Sequence, residues 1–267
     1  MHLRTVLIIA GAALAALILV LSQGPPPLPQ VEQKTDFPQA PETGWKRPRF
    51  SEFRQDRRLM VDNQIAGHRP AVLNGEVLEA MRQVPRHLFV SSQLQGVAHA
   101  DRPLPIGHGQ TISQPYIVAL MTEALEVKPG AKLLEVGTGS GYQAAVLSEL
   151  TPNVFTMEII RALGEKARLR LQNLGYESVK VRISDGYFGW PEEAPFDGII
   201  VTCAAGHIPP PLIKQLRPSG RMVIPVGGTY QVQRLMVVTK DNQGTVRTQE
   251  LLPVVFVPMT GAVQDLR

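Results

Sequence analysis

A glycine-rich turn between an apolar strand and a helix constrains this chain more than any other feature. Leu133-Leu-Glu-Val-Gly-Thr-Gly-Ser-Gly-Tyr142 reads as a short strand, a tight turn and the start of a helix over Tyr142 to Leu150. Glycines in such a turn adopt positive φ and let backbone approach a ligand. In open α/β sheets the turn lies at the carboxyl edge of the strands, where ligands bind. The dinucleotide pattern G-x-G-x-x-G requires glycine at position 142, which is a tyrosine. The spacing G-x-G-x-G, with the acid Glu135 just ahead, suits a nucleoside carrying a charged amino-acid tail. Glu135 can take an ammonium group, while Gly137, Thr138, Gly139, Ser140 and Gly141 admit the ligand's backbone-like portion.

The surrounding pattern repeats strand and helix. Strands are expected at Lys132 to Val136, Val154 to Met157, Val179 to Ile183, Phe196 to Thr202 and Arg221 to Val226. Helices are expected at Ile160 to Leu174, closed by Gly175, and at Ile208 to Leu216. Upstream, Ser51 to Ala66 reads as a charged amphipathic helix capped by Ser51, and Asn74 to Met81 as a second helix. Ala100 to Pro115 reads as loop, with Ser113 capping a helix from Pro115 to Glu126. Gln233 to Thr239 and Leu251 to Val257 are β-rich around the turn Asp241 to Gly244. Alternating strands and helices imply an α/β fold: a mostly parallel twisted sheet, helices on both faces and a β-rich C-terminal end.

Two further acids fall at strand ends. Glu158 lies 17 residues beyond Gly141 and can accept hydrogen bonds from ribose hydroxyls. Asp185, before Gly186, can receive an exocyclic adenine amine. Three acids at three consecutive strand ends indicate a nucleoside site, and S-adenosylmethionine is the ligand they suit. The single cysteine, Cys203, excludes an intramolecular disulfide and a cysteine-rich metal site, and no cluster has metal-ligand spacing. Net charge is +4, but residues 1–58 carry eight Lys/Arg against five Asp/Glu, so most of the surplus lies ahead of the globular part. Nucleic acid is therefore not an expected partner.

That leading part reads as an address. After Arg4, an uncharged apolar run from Thr5 to Leu21 reaches the lower limit for a bilayer span, at about 1.5 Å rise per residue. No small-residue cleavage pattern follows, which favours an uncleaved anchor. Arg4 and the N-terminal amine ahead of the run put the body on the non-cytoplasmic side. The division expected is an anchor or signal over 1–22, a proline-rich linker over 23–50 and a catalytic domain over 51–267. A cytoplasmic location is the alternative.

Leu104-Pro-Ile-Gly-His-Gly-Gln-Thr-Ile-Ser-Gln-Pro115 closely resembles the signature of the protein-L-isoaspartate O-methyltransferases. Family-like stretches continue at Val84 to Val90, Glu135 to Tyr142, Ala194 to Val201, Leu216 to Gly227 and Phe256 to Met259, so the resemblance spans about 59 to 261. It implies a Rossmann-like methyltransferase that passes a methyl group from S-adenosylmethionine to the free carboxylate of L-isoaspartyl residues in damaged proteins; a monomer without a metal is the separate expectation. By position in the motifs, Ser113 is the active-site serine, Gln110 and Thr111 shape the acceptor slot, and Gln114 and Thr260 reach the cofactor. His108 and His207 read as positioning or surface residues and Cys203 as packing. One departure is Ser184, where the family usually has glycine. The competing readings are a methyltransferase for another carboxylate and a non-catalytic, membrane-tethered binding module.

Overall fold

The computed structural model describes residues 45, 47–228 and 231–264. The expected anchor over 1–22 and most of the linker lie outside the described residues. In chain order come helix α1 (Arg54–Leu59), which continues as a π turn over Met60–Ile65, and α2 (Gly75–Gln83). A small hairpin follows, β1 (Leu104–Gly107) and β2 (Gln110–Ile112), and then α3 (Pro115–Ala124). Next are β3 (Leu133–Val136), α4 (Tyr142–Ser148), β4 (Val154–Glu158), α5 (Arg161–Asn173), β5 (Lys180–Ile183) and β6 (Phe196–Val201). Helix α6 (Pro210–Gln215) leads into β7 (Leu216–Val226), β8 (Gln233–Lys240) and β9 (Val246–Val254).

Seven strands form one sheet in the order β5-β4-β3-β6-β7-β8-β9. The first five are mutually parallel, and β8 and β9 add an antiparallel hairpin to the β7 edge. The chain runs outward from β3 through β4 to β5 and returns on the other side of β3 at β6. A crevice therefore opens at the carboxyl ends of β3 and its neighbours. Every residue of β3 and β4 is buried, as expected for parallel strands covered on both faces. Alternation divides the core in two: Leu133, Ile200 and Val223 pack with α2, α3 and α4, whereas Leu134, Ile199 and Met222 pack with Leu212 and Tyr187.

Several expectations need correction. Ser51 caps nothing. The first helix starts after Phe53, which sits in the left-handed region without a side-chain cap. Ala100 to Pro115 is not all loop, since β1 and β2 pair across a turn in which Gly107, His108 and Gly109 have positive φ. Ser113 does not cap α3. The Tyr116 N–H there donates 2.8 Å to Oδ1 of the distant Asp101. The last strand starts at Val246 rather than Leu251, because the turn after Asp241 sets Lys240 opposite Val246. Residues counted with the linker also belong to the packed body: Trp45 Nε1 donates 3.1 Å to Ser148 O, and Arg49 pairs with Glu149 at 3.0 Å.

One glycine is required by packing. A methyl on Gly198 of β6 would lie 2.9 Å from Leu133 Cδ2 and 3.0 Å from Leu125 Cγ. Gly198→Ala is expected to destabilise the fold by about 1–3 kcal/mol, the usual cost of an overpacked core. A urea midpoint equal to that of the parent protein would contradict this packing.

Candidate active site

The crevice at the carboxyl ends of β3, β4 and β6 gathers most of the residues singled out in the sequence. Its lining includes Gln110, Thr111, Ser113, Glu135, Gly137, Thr138, Gly139, Ser140, Glu158, Gly186 and Thr260. The glycine turn is held from below. The Gly137 and Thr138 N–H groups donate to Met157 O at 2.9 and 3.0 Å. Thr202 Oγ1 donates to Gly137 O at 2.7 Å, and Arg170 Nη1 donates to Ser140 O at 2.7 Å. Gly137 has φ 102°, and a Cβ there would lie 2.5 Å from Thr202 Oγ1. Only glycine meets both conditions. Gly141 is different: it precedes α4 at φ 90° and faces Leu171, outside the lining. A Cβ at this position would lie 3.3 Å from Leu171 of α5.

The three acids are not equivalent. Glu135 is fully buried. Its Oε2 accepts 2.5 Å from Thr156 Oγ1, which meets Thr138 Oγ1 at 2.6 Å. Its Oε1 is buried without a partner. Burial pushes the Glu135 carboxyl up to about 8, with the Thr156 bond opposing and the Glu158 charge adding. An unpaired acceptor at the floor of a cleft fits a cationic group such as an ammonium. Glu158 is 6% exposed and accepts from Gly139 N at 2.8 Å and Ile160 N at 2.9 Å. Each oxygen keeps a further lone pair, which fits two ribose hydroxyls.

Asp185 is not among the residues lining the crevice, although Gly186 beside it is. Its Oδ1 accepts from Tyr187 N at 2.9 Å and its Oδ2 from Ala262 N at 2.8 Å. It thereby pins the segment that carries Thr260 over the crevice.

A second, more open cleft adjoins the first and shares Thr111, Ser113, Thr202 and Val257 with it. His68, Tyr116, Val254 and Phe256 contribute to its walls. Gln114 lines only this second cleft, and its Nε2 donates 2.8 Å to Asp101 Oδ2, so it does not face the first. His108 is exposed at the hairpin turn, and His207 Nε2 lies 3.1 Å from Tyr187 OH. Cys203 lines the first crevice, with burial pushing its thiol up to about 12. Sequence reasoning missed Thr202 and Asp101, whose roles arise from contacts across 65 and 15 residues. It also missed Ile159, although that residue directly follows the strand-end acid Glu158. Among the described residues no group of three His, Cys, Asp or Glu side chains could hold a metal.

The protein-family profile described as protein-L-isoaspartate(D-aspartate) O-methyltransferase matches residues 57–264. The chain belongs to the protein-L-isoaspartate(D-aspartate) O-methyltransferase family. A protein-L-isoaspartate O-methyltransferase 2 of a Polaromonas species is 61% identical over 203 residues, covering 76% of this chain and 96% of that protein. One from Syntrophobacter fumaroxidans is 61% identical over 189 residues, covering 71% and 76%. A solved protein-L-isoaspartate O-methyltransferase superposes with a TM-score of 0.69 at 26% identity, covering 79% of this chain and 67% of that one. A Plasmodium falciparum structure in complex with S-adenosyl-L-homocysteine shares the fold at 24% identity and a TM-score of 0.65, covering 76% and 98%. This family member is thus an S-adenosylmethionine-dependent O-methyltransferase acting on isoaspartyl proteins.

Two outcomes follow from the acids. Glu158→Ala is expected to weaken binding of S-adenosylhomocysteine by about 1–3 kcal/mol, the range for hydrogen bonds to a charged acceptor. An unchanged dissociation constant would contradict the ribose assignment. Glu135 at about 8 and Glu149 at about 7 both stand above their unfolded values. The folded state therefore holds protons that the unfolded chain has released. Stability should fall as pH rises from about 5 to 8, by at most about 1.4 kcal/mol per pH unit for each group. Glu135→Gln should flatten part of that decline in urea titrations; an unaltered slope would contradict the burial argument.

Proposed function

We propose that this methyltransferase orients its acceptor through Ser113 at the junction of the two clefts, with the donor in the first and the damaged peptide in the second. The observation that carries this reading is that Ser113 lines both clefts, while its hydroxyl makes no hydrogen bond to another described residue. A hydroxyl left free at that junction can donate to a carboxylate. S-adenosylmethionine supplies a methyl group activated by its sulfonium. A carboxylate oxygen attacks the methyl carbon, the carbon–sulfur bond breaks and its electron pair stays on sulfur. The α-carboxylate of an isoaspartyl residue is already ionised at neutral pH, so no general base is required. The neighbouring backbone amide nitrogen then attacks the ester carbonyl, methanol carrying the amide proton leaves, and water reopens the resulting succinimide partly to normal aspartate.

The chain's own residues then have three tasks. Glu135 and Glu158 hold the donor by its ammonium and ribose. Ser113, with Thr111 and Gln110 beside it, aligns the acceptor oxygen. Ile112, Val118, Met157 and Val257 line the crevice with apolar groups that keep water from the nucleophile. Thr260, carried over the crevice by the Asp185–Ala262 bond, closes it from the C-terminal side.

The proposal extends to the address. An anchor over 1–22 and a linker ending ahead of Trp45, which already packs on the body, would hold a monomeric catalytic domain at a membrane. Its support is the uncharged run from Thr5 to Leu21 behind Arg4. Among the described residues no helix is long and apolar enough to cross a membrane. A reporter fused to the C-terminus, active only outside the cytoplasm, tests the address.

The catalytic reading is tested with an isoaspartyl peptide and its aspartyl twin. Methyl transfer is expected to the isoaspartyl form alone. Ser113→Ala should lower that transfer about 10- to 100-fold, the effect of one hydrogen bond to a charged group, with cofactor affinity unchanged. Equal methylation of the twins, or loss of cofactor binding in the variant, would contradict it.

A further inference from the structure

Ser113 stands next to the cap residue of helix α3, so whatever fixes the start of that helix fixes the serine. The helix lacks a cap of its own: Gln114 occupies the cap position and makes no capping bond, and Pro115 has no N–H to donate. The first amide that needs an acceptor, that of Tyr116, finds it in Asp101 Oδ1 at 2.8 Å. The other oxygen of the same carboxylate receives the Gln114 Nε2 at 2.8 Å and lies 2.7 Å from His68 Nε2. Asp101 is itself held, because its own N–H donates 2.7 Å to Gln64 Oε1, and Gln64 Nε2 donates 3.1 Å to His99 O. The side chain is 11% exposed, so these bonds form largely away from water. The His68 ring stacks on Tyr116 with centroids 3.9 Å apart and planes at 15°. Both rings face the second cleft.

One carboxylate therefore ties three separate segments together: the stretch after the π turn through His68, the loop at Asp101, and the Ser113–Tyr116 corner. We infer that Asp101 is a positioning residue for the acceptor, setting the Ser113 hydroxyl against the donor, and that His68, held by it and by Tyr116, forms the wall against which the acceptor peptide rests. The inference rests on the acceptor reading given above. Asp101 touches no reacting atom, and it lies apart from the glycine turn and from Glu135 and Glu158, so it acts on the acceptor side alone. The two roles differ in kinetics. Moving Ser113 misaligns the nucleophile and lowers kcat. Removing the His68 wall weakens peptide binding and raises KM.

The experiment uses the full chain and an isoaspartyl peptide. Asp101→Asn retains an acceptor for the Tyr116 amide but replaces the shared oxygen with a donor, and Asp101→Ala removes all three bonds. Asp101→Ala is expected to lower kcat by about 10²-fold, the scale for misplacing a positioned group by an ångström. Asp101→Asn should lower kcat by a smaller factor, and the Kd for S-adenosylhomocysteine should stay within about twofold for both. His68→Ala should raise the peptide KM with kcat little changed. Parent-like kcat in both Asp101 variants would overturn the inference, as would a loss of cofactor affinity equal to the loss of rate. So would a His68→Ala variant that loses kcat while keeping KM. Absence of transfer by the parent protein would instead overturn the acceptor reading, so the two failures can be told apart.

Discussion

The hydrogen bond from the Gly139 amide to the Glu158 carboxylate joins the turn after β3 to the end of β4, and the ligand crevice depends on it. Parallel pairing brings the two strand ends level, with Val136 opposite Met157. Met157 O takes two amides of the turn and Glu158 takes a third. The turn is thereby held open before any ligand arrives. That preorganisation lets a protein with few catalytic side chains accelerate a reaction whose nucleophile and donor are already reactive. Beneath it the chain from Thr138 through Thr156 to Glu135 leaves one buried carboxylate oxygen unpaired. This local cost to stability is useful where a cation is to be bound.

The parallel sheet was legible in the sequence because its physics is local. Continuous apolar runs at β3, β4 and β6, glycines at the first turn and acids at the strand ends all follow from neighbouring residues. The G-x-G-x-G spacing and Glu158 pointed to the crevice for the same reason. Elements that depend on distant partners were not legible. The β1–β2 hairpin is rich in glycine and proline and reads as loop, yet pairing of Leu104 with Ile112 makes it a ribbon. Ser113, two residues ahead of Pro115, resembles a cap, but the carboxylate of Asp101, 15 residues ahead of Tyr116, takes that role. Asp185 occupies a plausible ligand position by spacing, and only the return of the chain at Ala262 shows where its oxygens are used.

In the proposed reading, the two halves of the reaction are held by different parts of the chain. The donor side is built from strand ends of the parallel sheet, where backbone hydrogen bonds dominate. The acceptor side is built from the segments ahead of β3 and from the stretch following β9, where side chains such as Asp101, Gln64 and Gln114 make the connections. This division allows the acceptor groove to be altered without disturbing the nucleoside site. It also accounts for the exposed apolar residues Val232 and Val255 on that side, at 67% and 76% exposure, where a peptide can cover them.

The central claim is that the crevice above β3 and β4 binds a nucleoside with a cationic amino-acid tail. Calorimetric titration of the full chain with S-adenosylhomocysteine tests it most directly. Saturable binding at one site per chain, with adenosine alone binding more weakly because it lacks the tail that faces Glu135, is the predicted result. No measurable heat, or equal affinity for adenosine and the full ligand, would contradict it.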